Sequence, residues 1–128
     1  MNKDRLDKKL ENNRLILEFM GYTKGIYEHG RNGAVDIWRN DSVKKGHYRT
    51  LLECNFHYNW NELMSVVDKI ESLRHKTTRE SYYQVEISGN NCLICDIHGS
   101  VIAQETRDSK INGTYDAVIL FIKHWNKR

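Results

Sequence analysis

Residues 83–106, YQVEISGNNCLICDIHGSVIAQET, decide the fold class of this chain. Apolar side chains alternate with polar ones at the start of the stretch, a pattern typical of a strand with one solvated face. Gly89-Asn90-Asn91 and His98-Gly99 contain residues that favour tight turns. The stretch therefore predicts a meander of three short antiparallel strands, the second over Cys92–Ile97 and the third over Ser100–Thr106.

Three helices are predicted around this meander. Apolar spacing over Asp4–Met20 predicts the first helix, and Gly21 is a natural end because glycine readily takes a positive φ. Asn59 is a favoured N-cap for the second helix, with Glu62 placed as in a capping box. The last helix is expected from Asn112 or Thr114 to Trp125.

The segment between the first two helices is less regular. It contains two candidate strands, Ala34–Arg39 and Gly46–Phe56, with a turn at Asn40-Asp41-Ser42. The predicted order is α-ββ-α-βββ-α, which indicates a single α+β domain over residues 1–128 with three helices on one antiparallel sheet. The residues expected in the core are Leu15, Leu63, Val67, Ile70, Val85, Ile94, Val118 and Ile122.

Composition excludes several classes of protein. The chain has 128 residues, of which 39% are hydrophobic and 29% charged, which is too apolar for a disordered chain. The longest apolar run, Ala117–Ile122, is far shorter than a membrane-spanning helix, so no membrane association is expected. The N-terminus lacks the apolar stretch of a secretory signal, and three cysteines are typical of reduced thiols in a cytoplasm.

Five residues have the chemistry of zinc ligands: Cys54, His57, Cys92, Cys95 and His98. Residues three apart on a strand point to opposite faces, so Cys92 and Cys95 are expected to diverge. Free cysteine is also among the most often buried residue types. We therefore expect core cysteines and no bound metal, with a small zinc module or metalloenzyme as an alternative function.

No catalytic residue and no cofactor site are predicted. The sequence contains no G-x-S-x-G motif, and the Gly30–Gly33 stretch lacks the pattern of a phosphate-binding loop. His57 lies just before the second helix, where Asn59 and Trp60 fit the roles of helix cap and first-turn packing residue. These patterns favour a protein that is not an enzyme.

Basic and aromatic residues are interleaved in residues 21–50, which hold six basic and three acidic residues. Cations beside aromatic rings suit single-stranded RNA or a charged protein–RNA surface, and an ordinary solvated face is the alternative. The residues expected to contact a partner are Trp38, Lys44, Lys45, Tyr48 and Arg49.

Three stretches together resemble a group of small proteins carried by phages and prophages of Bacteroidetes-type bacteria. They are NNRLILEFMG at 12–21, FHYNWNELMSVVDKIE at 56–71, and the pattern SKI…AVILFIK within 109–123. The chain departs from the group at Glu62, where the relatives have Trp, and at Ser65, where they have Pro. Residues 22–50 match no part of the pattern, so a partner-specific surface is expected there.

The resemblance implies a phage or prophage origin but no particular reaction. Small phage proteins of this size include inhibitors of host defence, among them anti-CRISPR proteins. The expected function is therefore a non-enzymatic interaction protein that binds a host protein or ribonucleoprotein, such as a CRISPR effector, in the bacterial cytoplasm. A small protein that binds single-stranded RNA is the first alternative, using the same basic and aromatic residues.

Overall fold

A computed structural model of the chain describes residues 3–30, 33–40, 48–74 and 79–127. Its contacts divide the chain into two compact units, Met1–Cys54 and Asn55–Arg128, called here the N-terminal and C-terminal units. The assignment of residues 1–128 to a single domain stays a prediction. The elements are α1 (Lys3–Phe19), β1 (Thr23–Gly30), β2 (Gly33–Arg39), β3 (Tyr48–Arg49), α2 (Trp60–Ser72), β4 (Tyr83–Ser88), β5 (Asn91–Asp96), β6 (Val101–Thr106) and α3 (Lys110–Asn126).

The α+β class and the predicted alternation of helices and strand groups are confirmed. The first strand group contains one further strand, β1, in a segment whose glycines had indicated irregular structure. The strands form two three-stranded antiparallel sheets, β1-β2-β3 and β4-β5-β6, where the sequence predicted one. Within each sheet, every strand pairs with its neighbour along the chain, so each unit builds its own sheet.

Two asparagine side chains organise the N-terminal unit. Helix α1 ends at Phe19, and Gly21, two residues further on, has a positive φ as predicted, at 92°. Asn40 Nδ2 then donates to Met20 O at 3.0 Å, which ties the end of β2 to the end of α1. Asn13 is fully buried, and its Nδ2 donates to Leu51 O at 2.8 Å and to Cys54 O at 3.2 Å. Polar side chains therefore fix the chain around α1.

The predicted strand Gly46–Phe56 is mostly wrong. Gly46 and His47 lie outside the described residues, and within 48–56 only Tyr48–Arg49 pairs as a strand. The chain turns directly afterwards, with Glu53 N donating to Thr50 O at 3.2 Å. β-Forming side chains do not make a strand where the backbone forms a local turn with its own hydrogen bonds.

One predicted core residue of α1 is wrong. Leu15 is half-buried rather than a core residue, because the helix buries Ile16 and Leu17 instead.

Helix α2 begins as predicted. The Asn59 side chain accepts from Glu62 N at 3.1 Å, which satisfies one of the free N–H groups of the first turn. The reciprocal half of the capping box differs from the prediction. Glu62 Oε2 accepts from Asn55 N at 3.2 Å, because Asn59 N already donates to Asn55 O at 2.8 Å. Glu62 thus secures the turn that precedes the helix.

The predicted meander is confirmed in the C-terminal unit. In its sheet Val85 lies opposite Ile94, and Ile94 lies opposite Ala103. Helix α3 packs over this sheet, and its Phe121 ring meets Tyr83 edge-on with the ring centroids 4.8 Å apart. The predicted core residues Leu63, Val67, Ile70, Ile94, Val118 and Ile122 are buried, and Val85 is half-buried. Each large buried side chain contributes roughly 1.5–3 kcal/mol of burial free energy.

Among the described residues, the structure contains no helix that is both long enough and apolar enough to span a membrane.

Candidate functional site

A row of three exposed residues crosses one face of the N-terminal sheet. Thr23 on β1 lies opposite Arg39 on β2, and Arg39 lies opposite Tyr48 on β3. Directly opposed residues of antiparallel strands project from the same face of a sheet. Tyr48 is 46% exposed, and Arg39 and Thr23 are also exposed. The row therefore presents a guanidinium beside an aromatic ring; we call it the Arg39–Tyr48 row.

The connection between β2 and β3 begins and ends at this row. Arg39 is the last residue of β2 and Tyr48 is the first residue of β3. The chain between them carries the predicted contacts Lys44 and Lys45, which lie outside the described residues. Both lysines therefore lie in the stretch of sequence between Arg39 and Tyr48.

Two other predicted contacts, Trp38 and Arg49, lie on the opposite face of the sheet. They oppose each other across β2 and β3, and successive strand residues point to opposite faces. Trp38 is only 4% exposed, so it is buried where the sequence indicated an exposed aromatic side chain, and its contact with a partner stays a prediction. An aromatic residue in an irregular sequence segment suggested exposure, whereas the ring lies in the interior. Arg49 is half-buried.

Arg39 is not among the contacts predicted from the sequence. Arg39 can be recognised as a contact only from the pairing register of β2 with β3, which places it opposite Tyr48. That register cannot be read from composition. The sequence also did not select Lys24, because β1 was not predicted.

Net positive charge is concentrated in the N-terminal unit. Residues 1–54 contain eleven basic and eight acidic residues, whereas residues 55–128 contain nine of each. The excess of +3 in the whole chain thus resides in the unit that carries the Arg39–Tyr48 row. Such an excess favours an anionic partner and speeds its association at low salt.

A cleft of about 460 Å³ lies on the Trp38 face of the N-terminal sheet. Its walls include Arg14 and Glu18 from α1, and Lys24, Asp36 and Trp38 from the sheet. Lys24 Nζ is 3.3 Å from Asp36 Oδ2, and Arg14 is ion-paired with Glu18. The pKa of Arg14 is raised by hydrogen bonds to the carboxylates of Glu11 and Glu18. These charges largely neutralise one another within the cleft.

The five residues considered as zinc ligands do not converge. Cys92 and Cys95 lie on one continuous strand, where the buried Cys92 and the half-buried Cys95 occupy alternate positions. Burial raises the pKa of the Cys92 thiol to about 11, which keeps it protonated at neutral pH. His98 lies in the exposed turn after β5. Within the described ranges, no group of three or more His, Cys, Asp or Glu side chains is arranged to hold a metal ion.

Comparison with protein-family models, with curated proteins and with solved structures found no match for this chain.

Proposed function

We propose that this chain is an interaction protein of phage or prophage origin that inhibits a bacterial defence ribonucleoprotein by occupying its surface. A guide-loaded CRISPR effector is the specific candidate, and the site of action is the bacterial cytoplasm. The observation that carries the proposal is the exposed Arg39–Tyr48 row, which brackets the connection holding Lys44 and Lys45.

The chemistry of the row supports a partner that contains RNA. The guanidinium of Arg39 can form paired, charge-assisted hydrogen bonds with phosphate oxygens. The half-exposed ring of Tyr48 can stack on an unpaired base. Lys44 and Lys45 add positive charge to the sequence that connects Arg39 with Tyr48. Arginine and tyrosine are also the residue types that most often dominate protein interfaces.

The modest charge of the unit favours a ribonucleoprotein over naked RNA. Dedicated nucleic-acid-binding proteins usually have a stronger or more clustered basic charge than +3 over the chain. A ribonucleoprotein offers both phosphate charge and a protein surface, so a small basic row can bind it with additional apolar contacts. Direct binding of single-stranded RNA is the second candidate function, and the same Arg39–Tyr48 row favours it.

The test compares three partners side by side: guide-loaded CRISPR effectors from a panel of types, the same effectors without guide, and the guide RNA alone. Binding is measured by interferometry, and target cleavage is measured with the protein added. The proposal expects tight binding and inhibited cleavage only for a guide-loaded effector. Tighter binding to guide RNA alone would support the RNA-binding candidate instead. Failure to bind or inhibit any effector of the panel would contradict the proposed target class.

A further inference from the structure

Trp38 is a buried donor that lines the cleft of the N-terminal unit. The side chain is 4% exposed, and its Nε1 has no hydrogen-bond partner among the described residues. Buried polar atoms are nearly always paired in folded proteins, so an exception calls for an explanation. Because Trp38 forms part of the wall of an open cleft, an acceptor brought by a ligand is one such explanation.

The surroundings of Trp38 define the chemistry of that ligand. Tyr22 supplies a second aromatic ring to the cleft, and Leu51 adds apolar surface. The charged residues of the lining comprise two cations and two anions, arranged as the pairs Lys24–Asp36 and Arg14–Glu18. A ligand with a net charge would meet a residue of its own sign on either wall. The cleft therefore favours an uncharged, planar group that carries hydrogen-bond acceptors.

We propose that this cleft binds a nucleobase, stacked against Tyr22 and accepting a hydrogen bond from Trp38 Nε1. Its volume of about 460 Å³ lies within the usual range of small-molecule sites. Lys24 lies directly opposite Trp38 on β1, and its ion pair with Asp36 is more than half exposed on both sides. Nε1 is buried without a ligand, so binding includes a rearrangement that exposes the indole N–H, and the weak surface pair leaves Lys24 able to move with it.

The cleft is a different binding site from the surface that is proposed to bind a ribonucleoprotein. Trp38 and Arg39 are consecutive strand residues and point to opposite faces of the sheet. Arg39 and Tyr48 therefore do not line the cleft, although Thr23, the third residue of the row, lies at its edge. The base can come from a free nucleoside or from a base turned out of single-stranded RNA, since both present the same ring. Nucleosides and a short single-stranded RNA are therefore separate arms of the test.

The experiment follows the three tryptophan indole N–H signals of ¹⁵N-labelled protein by NMR. The probes are adenosine, guanosine, cytidine and uridine at millimolar concentration, their monophosphates, and the short RNA. The Trp38 signal is expected to shift with at least one nucleoside, whereas those of Trp60 and Trp125 stay fixed. The monophosphates should bind no tighter than the nucleosides, because Arg14 and Lys24, the two cations of the lining, are already ion-paired with Glu18 and Asp36. A shift with RNA alone would place the base in an RNA partner.

Variants distinguish binding in the cleft from a general effect. Tyr22→Ala should weaken nucleoside binding roughly tenfold, as expected for the loss of one stacked ring. Tyr82→Ala, the matched change in the C-terminal unit, should leave it unchanged. The double variant Arg39→Glu/Tyr48→Ala should also keep nucleoside binding, even where it loses a ribonucleoprotein. An unmoved Trp38 signal with every probe, or equal shifts in the Tyr22→Ala variant, would overturn the proposal.

Discussion

Arg39 and Tyr48 lie directly opposite each other where β2 and β3 pair, and the segment that carries Lys44 and Lys45 connects them. This register brings residues nine positions apart in sequence onto one face of a sheet. It makes a basic and aromatic surface from a segment whose sequence has little periodicity.

Reversal of Lys44 and Lys45 to Glu should slow association with a ribonucleoprotein partner while the fold is kept. Long-range attraction between the lysines and phosphate accelerates encounter, so the effect should shrink as salt rises. Association rates at two ionic strengths measure this. The matched control is Lys8→Glu/Lys9→Glu, an adjacent lysine pair on α1. Equal slowing by both pairs would mean that net charge alone, and not the β2–β3 segment, governs binding.

Val67→Asp should unfold the C-terminal unit. Val67 is 5% exposed on α2, and a buried, unpaired carboxylate should cost about 3–5 kcal/mol. Val101→Asp is the control, because Val101 is 57% exposed and a surface change should stay within about 0.5 kcal/mol. Thermal denaturation compares the two. Equal melting temperatures for both variants would show that the buried face of α2 is assigned incorrectly.

Gly113→Ala should destabilise the C-terminal unit even though alanine is the better helix former. A Cβ at Gly113 would clash with the backbone oxygen of Asn90, which a side-chain adjustment cannot relieve. Overpacking of this kind costs about 1–3 kcal/mol, against a gain of about 1 kcal/mol in helix propensity. Gly25→Ala is the control, since its Cβ would come no closer than 3.8 Å to Ile37. Greater stability of Gly113→Ala in urea titrations would contradict the close approach of α3 to the β4–β5 turn.

The cysteines should differ in reactivity towards iodoacetamide at pH 8. Cys95 is half-buried and should be labelled first, whereas Cys92 is fully buried with a pKa raised from 9.0 to about 11. At pH 8 roughly a thousandth of Cys92 is thiolate, the reactive form. The free energy of unfolding should fall as the pH rises from 9 towards 11, because the Cys92 thiol loses its proton at a lower pH in the unfolded chain than in the folded chain. Peptide mass spectrometry measures the order in which the cysteines are labelled, and urea-unfolded protein is the control. Equal labelling of Cys92 and Cys95 in the native protein would contradict the burial of Cys92.

Local patterns predicted much of the fold because the interactions that decide them are themselves local. The Asn59 cap depends on a neighbour three residues away, and Gly21 ends α1 through its own φ. The meander follows from short strand-forming runs between turn residues, the first of them alternating apolar and polar side chains. None of these features requires knowledge of distant parts of the chain.

The features that were not predicted depend on long-range partners. Asn13 is buried because Leu51 and Cys54 accept its hydrogen bonds from 38 and 41 residues away. The burial of Trp38 depends on packing within the N-terminal unit, and the role of Arg39 depends on hairpin register. Composition marks residues 22–50 as a basic and aromatic segment but does not decide which face of the sheet each residue occupies.

The central claim is that the Arg39–Tyr48 row is the surface that binds a ribonucleoprotein. The most direct measurement is the dissociation constant of Arg39→Glu/Tyr48→Ala for a guide-loaded CRISPR effector that the wild-type chain inhibits. The control is Lys123→Glu/Tyr82→Ala, which makes the same types of change in the C-terminal unit. We predict a loss of about a hundredfold or more for the first variant and wild-type affinity for the second. Unchanged affinity of Arg39→Glu/Tyr48→Ala, with the fold intact by circular dichroism, would contradict the claim.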